Sequence, residues 1–227
     1  MNKKTFYYDS KLMRGLSLLG DYIILNVLYV VCSLPLFTMG AAKAGLYNAT
    51  RILVSKDNES SAVKAFFRGF REGFGKITAV WCVIGLITLL LGYNIIAVYI
   101  FKEAGYAYAT FPLVLSIIGL SLIAVYQTML ILFHSRFDCT VRQLLRNTFL
   151  VILANLPRSI SAALLIWLPV IILILNFGLF MRMAFLLLFL YYSIASSLCV
   201  RLMRSPFERL EHNHTERLKN LNVGEGE

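Results

Sequence analysis

The sequence predicts an all-α fold: a polytopic membrane helix bundle of about five transmembrane helices, with amphipathic helices on its cytoplasmic surface. Three observations predict it. The chain of 227 residues is 59% hydrophobic, with a mean hydropathy of +0.72, too apolar for an ordinary soluble domain. Five apolar stretches, about 16–39, 77–101, 111–133, 160–180 and 183–200, come near the length that crosses ~30 Å of hydrocarbon. Lys and Arg gather between these stretches rather than inside them. Residues 1–205 read as one integral membrane domain and 206–227 as a cytoplasmic tail. The formal net charge of +10 therefore points to the lipid bilayer as partner, not to nucleic acid, because cytoplasmic loops of membrane proteins collect basic residues.

In chain order, residues 1–15 place Lys3, Lys4, Lys11 and Arg14 beside Phe6, Tyr7 and Tyr8, a mixture suited to the headgroup layer. The long apolar run that follows contains Asp21 and lacks a small-residue cleavage site, so no cleavable signal peptide is expected. The first span ends in Ser33-Leu34-Pro35-Leu36-Phe37-Thr38-Met39-Gly40. Pro35 cannot donate a backbone hydrogen bond and Gly40 permits a turn, so Pro35, Thr38 and Gly40 read as the motif by which the helix leaves the bilayer.

Residues 41–54 then form a short amphipathic helix, with Ala42, Gly45, Leu46, Ala49, Ile52 and Leu53 on one face and Lys43, Tyr47, Arg51 and Ser55 on another. After a polar loop, Val63, Phe66, Phe67, Phe70, Phe74 and Ile77 recur at steps of three and four. A phenylalanine stripe flanked by Lys64, Arg68 and Arg71 suits a helix lying in the membrane surface, ahead of the second span. Pro112 fits the first turn of the third span, where no proline N–H is needed.

Residues 141–152 carry another stripe, Val141, Leu144, Leu145, Phe149 and Ile152, beside Arg142 and Arg146. Shifted by 78 residues, Val63, Lys64, Phe66, Phe67 and Arg68 fall on Val141, Arg142, Leu144, Leu145 and Arg146, a short match that reads as a parallel repeat. Leu156-Pro157-Arg158 separates this helix from the fourth span, Arg182 marks a tight turn before the fifth, and Pro206 opens a short helix to Leu221.

With five full spans, residues 40–76, 134–159 and 201–227 share one side and 16 of the 22 Lys and Arg residues. That bias puts the C-terminus in the cytoplasm and the N-terminus outside. The competing arrangement makes Pro35–Gly40 a re-entrant bend and keeps the N-terminus inside.

Catalytic chemistry finds no support. There is no Ser-His-Asp constellation, no phosphate-binding glycine loop and no pair of acids at helical spacing, so no catalytic residue, cofactor or metal is assigned. Cys32, Cys82, Cys139 and Cys199 have no metal-ligand spacing, and His212 with His214 lacks a third ligand. Asp21 is the intramembrane ionisable candidate. Asn26, Asn94, Gln127 and Asn176 read as interhelical hydrogen-bonding groups rather than a substrate path.

Leu34-Pro35-Leu36-Phe37-Thr38-Met39-Gly40-Ala41-Ala42, Gly45-Leu46-Tyr47 and Phe66-Phe67-Arg68-Gly69-Phe70-Arg71, with a later Ala154-Asn155-Leu156-Pro157-Arg158, resemble the YesL-type family of uncharacterised bacterial membrane proteins. The resemblance covers residues 5–205; Lys43 stands where that family has a small residue. It implies a multi-pass protein of the bacterial cytoplasmic membrane whose genes often neighbour carbohydrate importers of the ATP-binding-cassette (ABC) type. The expected function is a non-catalytic accessory or regulatory partner of such an importer, docking on its permease subunits through Lys64, Arg68, Arg71, Arg142, Arg146 and Arg158. The alternative is a small-solute transporter or channel, which the repeat and the helix-breaking Pro35 and Pro169 favour.

Overall fold

The computed structural model describes residues 5–55, 61–103 and 110–212. The chain is an all-α polytopic bundle. In order it comprises α1 (Thr5–Ser33), a 3-10 turn (Leu36–Thr38), α2 (Met39–Ser55), α3 (Ala62–Glu103) and α4 (Thr110–His134). Then come α5 (Val141–Ala154), α6 (Leu156–Leu175), α7 (Phe177–Leu186), a π-helical turn (Leu187–Tyr191) and α8 (Tyr192–Leu202). Among the described residues, five stretches are long and apolar enough to cross a membrane: Gly15–Ser33, Ala62–Phe101, Phe111–His134, Leu156–Leu175 and Phe177–Leu202. Their outward faces are hydrocarbon-like, with Leu89 72%, Leu122 65% and Leu175 79% exposed. A contiguous apolar exterior of that extent is stable only against lipid or a partner.

The centre of the bundle is α2, and here the structure corrects the sequence reading. The helix expected as an amphipathic surface element is buried on nearly all sides, from Gly40 to Thr50 apart from Lys43. Tyr47, assigned to its polar face, lies in the main core with Met129, Leu132 and Cys199. Its small residues are the reason. A Cβ on Gly45 would come within 2.7 Å of the Phe66 carbonyl oxygen, and one on Gly69 within 2.8 Å of Asn48 Cβ. The α2 and α3 backbones therefore approach closely through Gly40, Ala44, Gly45, Gly69 and Gly73, the small-residue packing that holds helices together in lipid. A stripe of Ala and Gly looks weakly amphipathic in sequence, yet in the fold it is a contact surface.

α3 is a second correction. The phenylalanine helix and the second span are one continuous helix of 42 residues, about 63 Å long at 1.5 Å per residue. Nothing between Arg71 and Ile77 breaks it, because Gly73 is packed against α2 and Gly75, with open space around it, is tolerated in a helix. Its first half stands beside α2 instead of lying flat, and Phe66 is fully buried against α2 while Phe67 and Phe74 stay 44% and 47% exposed.

The chain also reverses where a helix exit was expected. α1 stops at Ser33 rather than continuing to residue 39. Leu25 and Tyr29 of α1 share one buried cluster with Ala42, Leu46 and Ala49 of α2, so the two helices lie side by side and antiparallel. The chain therefore reverses its direction across residues 34–38. The start of α1 and the end of α2 lie at the same end of the bundle.

A further boundary moves. α6 ends at Leu175, and Asn176 separates it from α7, its side chain accepting from the Leu179 backbone N–H at 2.9 Å. The turn expected at Arg182 is inside α7. Asn176 is a good N-cap and Gly178 follows it, whereas a lone arginine has no turn-forming chemistry of its own. By contrast α5 begins as its sequence implies, with a Thr140–Gln143 capping box, and Pro112 falls in the first turn of α4. The repeat holds only locally: Phe66 and Leu144 are both fully buried, but α5 breaks at Asn155 where α3 runs on.

Beyond α8, residues 204–212 are helical and do not leave the bundle at once. Phe207 is buried, with ring centroids 6.0 Å from Phe133 and 5.7 Å from Phe137. The expected tail helix beyond His212, and His214, lie outside the described residues.

Candidate functional site

The reversal at residues 34–40 is built from its own side chains. Pro35 is extended (φ −74°, ψ 112°), which stops α1. The Thr38 hydroxyl lies 2.7 Å from the carbonyl oxygens of both Cys32 and Pro35 and takes over backbone acceptors the break frees. The Trp81 indole N–H donates to the Leu36 carbonyl at 3.1 Å, and a Cβ on Gly40 would sit 2.8 Å from Trp81 Cβ. Pro35, Thr38 and Gly40 thus act together, as a fold-back docked on the middle of α3.

The intramembrane amides are used between helices. Asn26 is fully buried. Its Nδ2 donates to the carbonyls of Leu187 (3.2 Å) and Leu188 (2.6 Å), and its Oδ1 accepts from the Ser193 backbone N–H at 3.0 Å. Those groups lie in or next to the π-helical turn Leu187–Tyr191, where the α-helical hydrogen-bond register is interrupted. The Ser193 hydroxyl returns the link, donating to the Tyr22 carbonyl at 2.7 Å. One amide therefore ties α1 to the widened turn of the last span. Asn94 donates to Ser116 Oγ at 3.0 Å, joining α3 to α4, and Gln127 is buried in α4. Asn176 is not an interhelical group but an exposed cap. Asp21 is half-buried on α1; pairing with Lys11 or Arg14 lies outside the described side chains.

Residues 22–95 match the family described as "Protein of unknown function, DUF624". No curated protein and no solved structure matches the chain. The matched segment holds the features just described: Asn26, the Pro35 bend, buried α2 and the glycine-lined approach of α3.

The expected basic surface divides in two. Lys64, Arg68 and Arg71 are exposed along one side of α3, where with Val63, Phe67 and Glu72 they line an open groove of about 600 Å³. Arg142 and Arg146 project from α5, and Arg158 from the start of α6. α5 packs on α4, where the Tyr126 hydroxyl donates to the Leu145 carbonyl. A contact between α3 and the α4–α5 connection is Lys76 to Asp138, 3.3 Å apart.

Two charged features escaped the sequence reading. Lys43 Nζ sits 4.6 Å from the Trp81 ring centroid and 5.5 Å from that of Trp167, between the chain's only two tryptophans. Arg136 pairs with both carboxylate oxygens of Glu211, at 2.7 and 3.0 Å, and stacks 5.7 Å above the Phe207 ring. The guanidinium holds the Glu211 carboxyl below its ordinary range. Arg51, nearby, is pushed down by burial and by the charges of Arg136 and Arg68. Partners 75 residues apart carry no local signal.

Proposed function

We propose that this chain is a non-catalytic accessory subunit of the bacterial cytoplasmic membrane, docking through the exposed basic and aromatic face of α3. The observation that carries this reading is the groove formed by Lys64, Phe67, Arg68 and Arg71. An exposed phenylalanine among cations is the composition of a protein-docking patch: an apolar anchor with a charged rim. Arg142, Arg146 and Arg158 offer a second basic face. The amides that could line a solute path are instead engaged between helices at Asn26 and Asn94.

The bend supports a cytoplasmic assignment for the end that gathers the basic loops. With the start of α1 at the end that carries the 56–60 and 135–140 connections, the chain order assigns nineteen of the 22 Lys and Arg residues to that end, leaving Lys43 beside the fold-back and Lys102 and Arg182 opposite. The positive-inside bias then makes it cytoplasmic, C-terminus included. The resemblance to the YesL-type family supplies the class of partner: the permease of a carbohydrate importer of the ABC type.

The test is a pull-down of the full chain from native membranes. Arg68→Glu with Arg71→Glu is expected to reduce permease recovery severalfold while elution and melting stay unchanged. Unaltered recovery overturns the docking face. A second reading, a solute transporter, is favoured by the fold-back at Pro35 and the π-turn held by Asn26, since interrupted helices mark transporter sites. Solute uptake by the purified protein alone in liposomes decides for it.

A further inference from the structure

We propose that the groove between α6 and α8 holds one anionic phospholipid, its acyl chain on a leucine wall and its phosphate on Arg201. The two helices run antiparallel: the Cys199 thiol donates to the Ala162 carbonyl, and the Tyr191 hydroxyl to the Leu165 carbonyl. The first half of α6 therefore faces the last turns of α8. Between them lies a groove of about 690 Å³ lined by Leu164, Leu165, Leu168, Leu198 and Leu202, with Ser161 and Arg201. α6 and the Phe177–Leu202 stretch that ends in α8 are each long and apolar enough to span the membrane, so the leucine wall meets hydrocarbon. Leu168 marks the deep end, while Arg201 stands in the last turn of α8, at the end that gathers the basic loops.

Charge selects the occupant. Arg204 and Arg136 are paired with Glu208 and Glu211, but among the described residues no carboxylate lies within ion-pair distance of Arg201. A guanidinium without a counter-charge at the mouth of an apolar groove fits a phosphodiester with a hydrocarbon tail, because the fork of donors matches phosphate oxygens and the tail fills the leucine wall. A zwitterionic lipid fills the same groove but gains less from the basic end.

The test uses the full-length protein in detergent, with native mass spectrometry reading retained phosphatidylglycerol against phosphatidylcholine. The wild type is expected to favour phosphatidylglycerol about fivefold, the scale of one basic contact at an anionic surface. Arg201→Gln is expected to abolish the preference, and Arg209→Gln to keep it. Leu164→Trp fills the groove at an exposed position and is expected to lower retention of both lipids. Circular dichroism and a single elution peak certify each variant. An undiminished preference in Arg201→Gln overturns the proposal. So does a melting shift with inorganic phosphate equal to that with phosphatidylglycerol, which assigns Arg201 to a free anion.

Discussion

Asn26 carries more of this fold than its size implies. Its amide matches three backbone groups of the last span at a fully buried position. Asn26→Leu removes these bonds to the Leu187 and Leu188 carbonyls and the Ser193 N–H. An interhelical hydrogen bond in a membrane contributes about 0.6–1.7 kcal/mol, so losing the set is expected to cost about 1–3 kcal/mol. A detergent melting curve checks this; an unchanged midpoint shows that the π-turn is held by other contacts. Phe66 makes a related point. Of the phenylalanine stripe, this ring is the one fully buried, against α2. Phe66→Ser is therefore expected to lower stability far more than Phe74→Ser, which alters a half-exposed ring.

At the scale of elements, the α2–α3 pair depends on missing side chains. Gly45→Ala places a methyl 2.7 Å from a backbone carbonyl, which cannot yield as a flexible side chain could. It is expected to destabilise by about 1–3 kcal/mol. Gly75→Ala, on the same α3 but with nothing within 4 Å, is expected to be neutral or slightly stabilising, since alanine favours the helix. Equal melting midpoints for the two variants would sink the close-packing account. α5 tests the opposite case, an element fixed by local chemistry. Thr140→Ala removes its cap and is expected to cost about 1 kcal/mol, read as faster hydrogen exchange confined to α5.

For the whole molecule, the proposed topology puts both termini on one side of the membrane. With Cys32, Cys82, Cys139 and Cys199 replaced, Ser10→Cys and Ser205→Cys are expected to react with an impermeant thiol reagent from the same side, and Ala107→Cys from the other. Labelling of Ser10→Cys together with Ala107→Cys would restore five separate crossings. The Arg136–Glu211 pair ties residues 204–212 to the end of α4, and its pH dependence has a definite sign. Because Arg136 depresses the Glu211 pKa, the pair adds stability above the ordinary carboxylate value of 4.5 and loses it as pH falls through the lower folded value. The wild type is expected to melt above Glu211→Gln at neutral pH, by about 0.5–1 kcal/mol, and the gap to close as pH falls below 4.5. A gap independent of pH would assign the effect to packing on Phe207 instead.

The sequence by itself determined the class and most of the helices. Apolar runs of spanning length admit few structures in lipid, since every backbone group must be satisfied within its own helix. Thr140 with Gln143 and the placing of Pro112 were equally legible, because caps and first turns are local. It also singled out Asn26 and Asn94 as interhelical groups, since an amide in an apolar run needs a partner. It could not name those partners, which lie 161 and 22 residues away. Tertiary structure alone decided that α2 is the core and not a surface, because Gly and Ala have low hydropathy contrast and their value lies in how closely another backbone can approach. It decided that Pro35–Gly40 reverses the chain, because a proline break fixes where a helix ends but not the direction taken next. That direction was set by Trp81 and Ile77, about forty residues on, where α3 offered the surface against which Gly40 could pack.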